Sequence, residues 1–208
     1  MNLRLHHILE DTAAEGPGRR FCIWVQGCLR RCPGCFAEDT WDPAGGYASD
    51  TETILARLRR RMELKPPLEG VTFLGGEPFL QAAALSEIAA FARENGLGVF
   101  CFTGFTLEEL RAEGDGDRLA MLEQIDLLAD GAYIAAERDF SRPWLGSKNQ
   151  RFHYLTDRYT PGQIAQEHNR VEVRIRPDGT MTINGMADFP AMLAGSLPDT
   201  EAKRGNQA

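Results

Sequence analysis

The sequence predicts an α/β fold in which strands and helices alternate around a parallel sheet. Two observations carry that expectation. Short runs rich in aromatic and β-branched residues recur at 21–26, 71–74 and 99–102, and amphipathic or well-capped helical stretches separate them. A third observation concerns the end of the chain, where period-two alternation around a Pro-Asp-Gly turn predicts an added β-hairpin.

Each element has a local reason. Glu15-Gly16-Pro17-Gly18 forms a turn, and residues 21–26 (FCIWVQ) follow as a buried strand. Ser49 and Glu52 have capping-box spacing, Ile54, Leu55, Leu58 and Met62 share one helical face, and Pro66-Pro67 ends that helix. Residues 71–74 make the second strand, closing in Gly75-Gly76. A helix over 81–95 buries Leu85, Ile88 and Ala92 and stops at Gly96. Residues 99–102 make the third strand. Thr106 caps a short helix over 107–112, and 118–124 form another. An apolar stretch at 125–129, interrupted by Asp126, leads through Asp130-Gly131 into strand-like Tyr133-Ile134, and 152–155 form a further strand. The hairpin pairs 171–176 with 180–183. One domain is expected over 1–208, with its core at about 15–155, the hairpin at about 170–185 and a weakly ordered tail at about 190–208.

Composition narrows the function classes. With 208 residues and 43% hydrophobic content, the chain is long enough for a real core and too apolar for disorder. A net charge of −7 argues against a protein that coats nucleic acid. No apolar run approaches the ~20 residues of a membrane span, and Met1-Asn2-Leu3-Arg4-Leu5-His6-His7 lacks the apolar core of a signal peptide. A cytoplasmic enzyme, bound to neither nucleic acid nor membrane, is the expectation.

The cysteines give the first chemical lead. An odd count of five, without an export signal, makes a poor disulfide framework. Cys28-Leu29-Arg30-Arg31-Cys32-Pro33-Gly34-Cys35 is a CxxxCxxC run directly after a strand, with Pro33-Gly34 supplying the turn between the last two. Three soft thiolates on one loop suit an iron–sulfur centre, and three ligands leave one iron of a four-iron cluster open for chemistry. The competing reading is a zinc knot completed by His6, His7 or Cys22, although structural zinc usually shows two paired ligand sets and no second pair is present. Cys22 and Cys101 lie in apolar strands and read as core thiols.

CxxxCxxC after the first strand resembles the radical S-adenosylmethionine (SAM) enzymes. The resemblance implies that Cys28, Cys32 and Cys35 hold a [4Fe-4S] cluster and that SAM chelates the fourth iron through its amino and carboxylate groups. Reduction would then cleave SAM to methionine and a 5′-deoxyadenosyl radical. It also implies a partial (β/α)6 barrel, with the site at the C-terminal ends of the parallel strands. Phe73-Leu74-Gly75-Gly76-Glu77-Pro78 is similar to the family's GGE motif, in which the glycine backbone and the glutamate hold the amino group of SAM. Glycines admit close backbone approach, and a carboxylate suits an ammonium group.

A narrower resemblance, collinear over roughly 15–155, is to the glycyl-radical activating enzymes and, among them, the activators of anaerobic ribonucleotide reductase. Gly16-Pro17-Gly18-Arg19, Gln26-Gly27-Cys28, the stretch from Cys35-Phe36 to Thr40-Trp41, and Phe102-Thr103-Gly104-Phe105 with Glu108-Glu109-Leu110 carry it. So do Asp126-Leu127-Leu128-Ala129-Asp130-Gly131 and residues 144–151. This resemblance implies cofactor-binding roles for Gly75, Gly76, Glu77, Thr103, Gly104 and Asp130. It implies hydrogen abstraction from a backbone glycine of a partner glycyl-radical enzyme, and a flavodoxin- or ferredoxin-type electron donor. It assigns no catalytic side chain. Gly34 precedes the third cysteine and Phe36 follows it, as in this subgroup. Gly131-Ala132 follow Asp130 where some activators carry a lysine for the SAM carboxylate, so that partner is unassigned. A second reading is direct modification of a small molecule or ribosomal peptide, with the hairpin as docking edge. A third is an electron-transfer module without SAM chemistry, against which the GGE motif speaks.

Other residues carry paired readings. Arg19, Arg20, Arg30 and Arg31 fall in an acid-free stretch at 16–37, either a docking patch for an acidic electron donor or a solvated loop. Arg59-Arg60-Arg61 reads as a solvated helix face and His153 as structural. Trp41 and Trp144 shape the mouth of a site or pack. Asn149 and Gln150 contact SAM or substrate, or bond their own loop.

Overall fold

The computed structural model describes residues 1–187. In chain order its main elements are β1 (Asn2–Thr12), β2 (Arg20–Val25), β3 (Tyr47–Asp50), α1 (Thr51–Met62), β4 (Gly70–Gly75), α2 (Ala82–Glu94) and β5 (Gly98–Phe102). There follow α3 (Leu107–Ala112), α4 (Gly116–Gln124), β6 (Leu127–Asp130), β7 (Arg151–Tyr154), α5 (Pro161–Ile164), β8 (Val171–Ile175) and β9 (Met181–Gly185). Seven strands form one sheet in the order β3-β1-β2-β4-β5-β6-β7. β2, β4, β5 and β6 are mutually parallel. β1, β3 and β7 run antiparallel to their neighbours. The expected α/β sheet is therefore present, with four parallel strands among the described residues where a (β/α)6 barrel has six.

The helices cover one face of the sheet. Ile54 and Leu58 of α1, Leu85 and Ile88 of α2, Leu110 of α3 and Met121 of α4 are fully buried against Phe21, Ile23, Val71 and Phe73. Each such side chain contributes roughly 1.5–3 kcal/mol of transfer free energy. The other face carries a smaller cluster of Phe100, Leu127, Ala129, Trp144, Leu145 and Ile164.

Several expectations need correction. Asp50, not Ser49, caps α1: its carboxylate accepts from Thr53 N–H, and Ser49 stays in β3. Tyr133-Ile134 is not a strand; the strand is the preceding Leu127–Asp130, because Asp130 closes the ladder opposite Arg151. Arg61 is buried and bonded to Asp11 and to the Pro66 carbonyl, so only Arg59 and Arg60 form the solvated face. The expected tail at about 190–208 lies outside the described residues.

β1 carries no simple alternation because its ladder with β2 shifts register between Leu5 and His7 and again between Leu9 and Thr12. Its buried positions are Leu3, Leu5, Ile8 and Thr12, a period-two run that changes phase between Leu5 and Ile8, where the first shift falls.

The expected hairpin is present as β8–β9, and polar groups dock it on the start of the chain. Glu172 accepts from Thr12 Oγ1 (2.8 Å) and Ala13 N (2.7 Å), and Arg174 donates to the Asp11 carbonyl (2.6 Å). Glu15 accepts from Asn184 Nδ2 (3.1 Å) and Gly185 N (2.6 Å). Burial pushes the Glu15 carboxyl up, and these two hydrogen bonds oppose the shift only in part. A raised carboxyl binds its proton more tightly folded than unfolded. Its contribution to stability is therefore full at low pH and is lost as pH rises through the window above the ordinary glutamate value. Glu15→Gln keeps the accepting oxygen and removes that titration. Urea unfolding from pH 4 to 7.5 is expected to show the variant gaining on the wild type as pH rises; parallel curves would refute this.

Candidate active site

The site grows from the C-terminal edge of the parallel strands. Val25, the last residue of β2, stands in register with Gly75, the last of β4. The cysteine loop and the Gly75-Gly76-Glu77 turn therefore leave the sheet side by side. Gly76 N donates to the Val25 carbonyl (2.9 Å) and Glu77 N to the Gly27 carbonyl (2.8 Å). A Cβ on Gly76 would sit 2.3 Å from Gly27 O, and Gly75 has a φ of +102°. The glycine pair is needed first for this backbone-on-backbone packing against the root of the cysteine loop.

The loop is held from below. Gln26 donates to the Asp39 and Asp42 carbonyls, Gly27 N to Thr40 O, and Cys28 N to Trp41 O. Cys28, Cys32 and Cys35 are half-buried free thiols. Cys35 N donates to Cys32 O (3.0 Å), closing the turn through Gly34. Cys35 Sγ accepts from Ala37 N (3.5 Å), and the Trp41 side chain lies near it. Burial pushes the Cys35 thiol up, and nearby Cys32 and Cys28 act in the same direction.

Among the described residues no three His, Cys, Asp or Glu side chains gather around a single point, as one zinc ion would need. A four-iron cluster binds each thiolate at a different iron, so three soft sulfurs spread along one loop, with a backbone N–H on one of them, suit that group. The residues weighed for a zinc knot are otherwise engaged. His6 pairs with Asp39 (3.2 Å) and His7 packs on Trp24. Cys22, like Cys101, is fully buried, and burial raises both thiols well above the ordinary range.

Glu77 joins two loops. Its buried carboxylate accepts from Phe79 N (3.0 Å), Thr103 Oγ1 (2.8 Å) and Gly104 N (2.8 Å). Burial pushes Glu77 up; the three hydrogen bonds and nearby Arg30 oppose that. Arg30 lies across Gly104, stacks on Phe105 at 4.4 Å and pairs with Glu109 at 2.7 Å. The structure thus brings Gly75, Gly76, Glu77, Thr103 and Gly104 together beside the cysteine loop. Asp130 ends the neighbouring strand β6 on the same edge, and its side chain has other partners. It is fully buried, accepts from Leu107 N at the start of α3 (2.8 Å), and pairs with Arg151 (2.7 Å) and His153 (2.8 Å).

A cavity of about 580 Å3 opens on this edge. Cys35 and Phe36 border it on one side, Gly75 and Phe102 on another, Trp144 on a third, and residues 182–187 of the hairpin reach over it. That volume lies in the usual range for a small-molecule site. Trp144 is nearly buried and packs on Phe100 and Phe152. Asn149 and Gln150 tie their loop to the turn after β6, donating to the Ala132 (2.7 Å) and Gly131 (3.1 Å) carbonyls. Sequence reasoning missed the Trp41–Cys35 contact and the reach of the hairpin into the cavity; neither leaves a periodic or spacing signal.

The acid-free stretch does not fold into one basic patch. Arg20 is fully buried, Arg19 pairs with Asp11, and Arg30 pairs with Glu109, which leaves Arg31 as the exposed member.

Comparison with known proteins follows the same outline. A family model described as a 4Fe-4S single cluster domain matches residues 14–153. The anaerobic ribonucleoside-triphosphate reductase-activating protein of Vibrio cholerae is 30% identical over 162 residues, covering 74% of this chain and 99% of the relative. The phage T4 protein of that name is 30% identical over 149 residues, covering 69% and 88%. The pyruvate formate-lyase-activating enzyme of Clostridium pasteurianum is 39% identical over 98 residues, covering 45% and 40%.

Proposed function

The chain belongs to the 4Fe-4S single cluster domain family, among the anaerobic ribonucleoside-triphosphate reductase-activating proteins, and on that premise we propose that it activates a glycyl-radical enzyme by abstracting hydrogen from one of its backbone glycines. It is a radical SAM enzyme of the activating type. The partner on this reading is an anaerobic ribonucleotide reductase, and the electron donor is of the flavodoxin or ferredoxin type. The observation that carries the reading is the hydrogen-bonded junction of the cysteine loop and the Gly75-Gly76-Glu77 turn, on adjacent parallel strands, beside one cavity. We read the four parallel strands with their antiparallel flanks as a shortened partial barrel, and the chain as one domain. The relatives are activating proteins, which does not favour direct modification of a small molecule or ribosomal peptide.

Cys28, Cys32 and Cys35 would hold the cluster. When bound there, the cluster would supply the one-electron chemistry by which SAM is cleaved. The rest is the work of this chain. Ala37 N–H points at the Cys35 sulfur and, with the nearby Trp41 side chain, favours its anionic form. Gly75 leaves bare backbone at the cavity wall. Glu77 already accepts three hydrogen bonds, so it acts on an ammonium group mainly as a fixed buried charge, with Thr103 and Gly104 holding it in place. Asp130 acts at one remove, by orienting the start of α3 and Arg151. Phe36, Phe102 and Trp144 keep the cavity wall apolar, which excludes water from a reactive intermediate.

Anaerobic reconstitution is expected to load about four irons per chain, the content of one cubane cluster. With dithionite and SAM the loaded protein is expected to release 5′-deoxyadenosine, and with the same organism's anaerobic ribonucleotide reductase to give a glycyl-radical signal by electron paramagnetic resonance. Zinc uptake without iron, or a cluster that leaves SAM intact, would sink the reading.

A further inference from the structure

The hairpin is built inside out. The ladder sets Val173 opposite Ile183 and Ile175 opposite Met181, so these four side chains share one face. Glu172, Arg174, Thr182 and Asn184 share the other. A strand pair on a protein surface normally buries its apolar face. Here the polar face is the docked one, through Glu172, Arg174 and Asn184 to Thr12, Asp11 and Glu15. The apolar face is left outward, with Val173 52%, Ile175 73%, Met181 59% and Ile183 50% exposed. A two-stranded hairpin is marginal alone, so these polar anchors fix it with that face turned out.

The patch is continuous with the reaction cavity. Ile183 belongs to both, and across the same cavity Phe36 of the cysteine loop is 62% exposed. Among the described residues β8 and β9 pair only with each other, which leaves both edges of the hairpin with free backbone donors and acceptors. Free strand edges beside alternating apolar side chains match one kind of occupant, an extended polypeptide. The hairpin also lies beyond residues 14–153, where the family model ends.

We propose that the outward face of the β8–β9 hairpin is the docking surface for the partner enzyme's extended segment beside its target glycine, and that it delivers this segment into the cavity. This rests on the activase reading above. Val173, Ile175 and Met181 grip alternate apolar side chains of the segment, and Phe36 receives it on the far rim. Surface of this kind concentrates binding free energy in a few apolar contacts.

The test uses the full-length reconstituted chain and the triple variant Val173→Thr/Ile175→Thr/Met181→Thr, which keeps strand-forming side chains while removing the apolar ones. The expected result is 5′-deoxyadenosine release without partner within twofold of wild type, together with at least tenfold weaker binding to the organism's anaerobic ribonucleotide reductase. Reductase is also expected to slow amide exchange across 171–185 of the wild-type chain, a readout independent of any variant. Unchanged affinity, or no slowing, overturns the proposal and leaves the activase reading standing. A wild type that cleaves SAM yet neither binds the reductase nor places a radical on it overturns the activase reading itself, and this partner with it. A dimer that the triple variant disperses at unchanged reductase affinity assigns the face to a second copy. Co-sedimentation with phosphatidylcholine vesicles that the variant abolishes assigns it to a lipid surface. Either of these last two results refutes the proposal.

Discussion

Single replacement of Cys28, Cys32 or Cys35 by alanine is expected to abolish both stable iron loading and SAM cleavage. The loss should exceed the roughly 10–100-fold that removing an outer-shell partner costs a metal site, because a ligand itself is removed. The three thiols sit on one loop that Gln26, Gly27 and Cys28 fasten to residues 39–42, so no neighbouring sulfur is placed to substitute. Cys22→Ala and Cys101→Ala are the controls. Both thiols are fully buried in β2 and β5, and their loss should cost about 1 kcal/mol of packing while leaving cleavage intact. Iron content and 5′-deoxyadenosine yield, measured on all five variants, decide the matter. Cleavage retained in any of the first three would overturn the ligand assignment. Cleavage lost with Cys22→Ala in a folded protein would reopen it.

The largest effect on stability is expected at Arg20. Its guanidinium is fully buried at the start of β2 and donates only to neutral acceptors: Thr72 Oγ1 (3.0 Å), Tyr159 Oη (2.8 Å), and the carbonyls of Pro17, Val71 and Gly98. Room for it is made by glycines, since a Cβ on Gly70 would lie 2.0 Å from Arg20 Nη1. Arg20→Ala strands several buried acceptors at about 1–3 kcal/mol each. The sum is roughly 4–5 kcal/mol or more, a large part of the about 5–15 kcal/mol that holds a domain together. Arg20→Lys should recover only part of this, because an ammonium cannot fork toward carbonyls on two strands. Urea midpoints of the three proteins test the claim, and an alanine variant within about 1 kcal/mol of wild type would refute it.

The same arginine shows where sequence reading reaches its limit. Arg20 stands in an acid-free stretch and scans as part of a charged surface. Nothing local reveals that Gly70, fifty residues away, leaves room for it, or that Gly98, seventy-eight residues away, offers it a carbonyl. Arg61 misleads in the same way, since its carboxylate partner Asp11 lies fifty residues away. β2, β4 and β5 were legible because each is a largely apolar run, and α3 because Thr106 and Glu109 form a complete capping box, whereas Asp126 and Asp130 mask the short β6. β1 was not, because two register shifts scramble its alternation, nor was β3, which is short and mostly exposed. In the site, the cysteine run and the Gly75-Gly76-Glu77 turn carry spacing that sequence alone displays. The contact that orients Glu77, from Thr103, depends on strand register, and the fold of the loop that brings Trp41 near Cys35 appears only in three dimensions.

The carboxylate of Glu77 has a consequence for motion. It bridges the turn after β4 to the turn after β5, while its own backbone N–H is tied to Gly27 at the root of the cysteine loop. Three loops that would otherwise fray independently therefore share one fastening. Lifting any of them breaks bonds to the others, so the rim behaves as a single cooperative unit whose opening has one free energy rather than three.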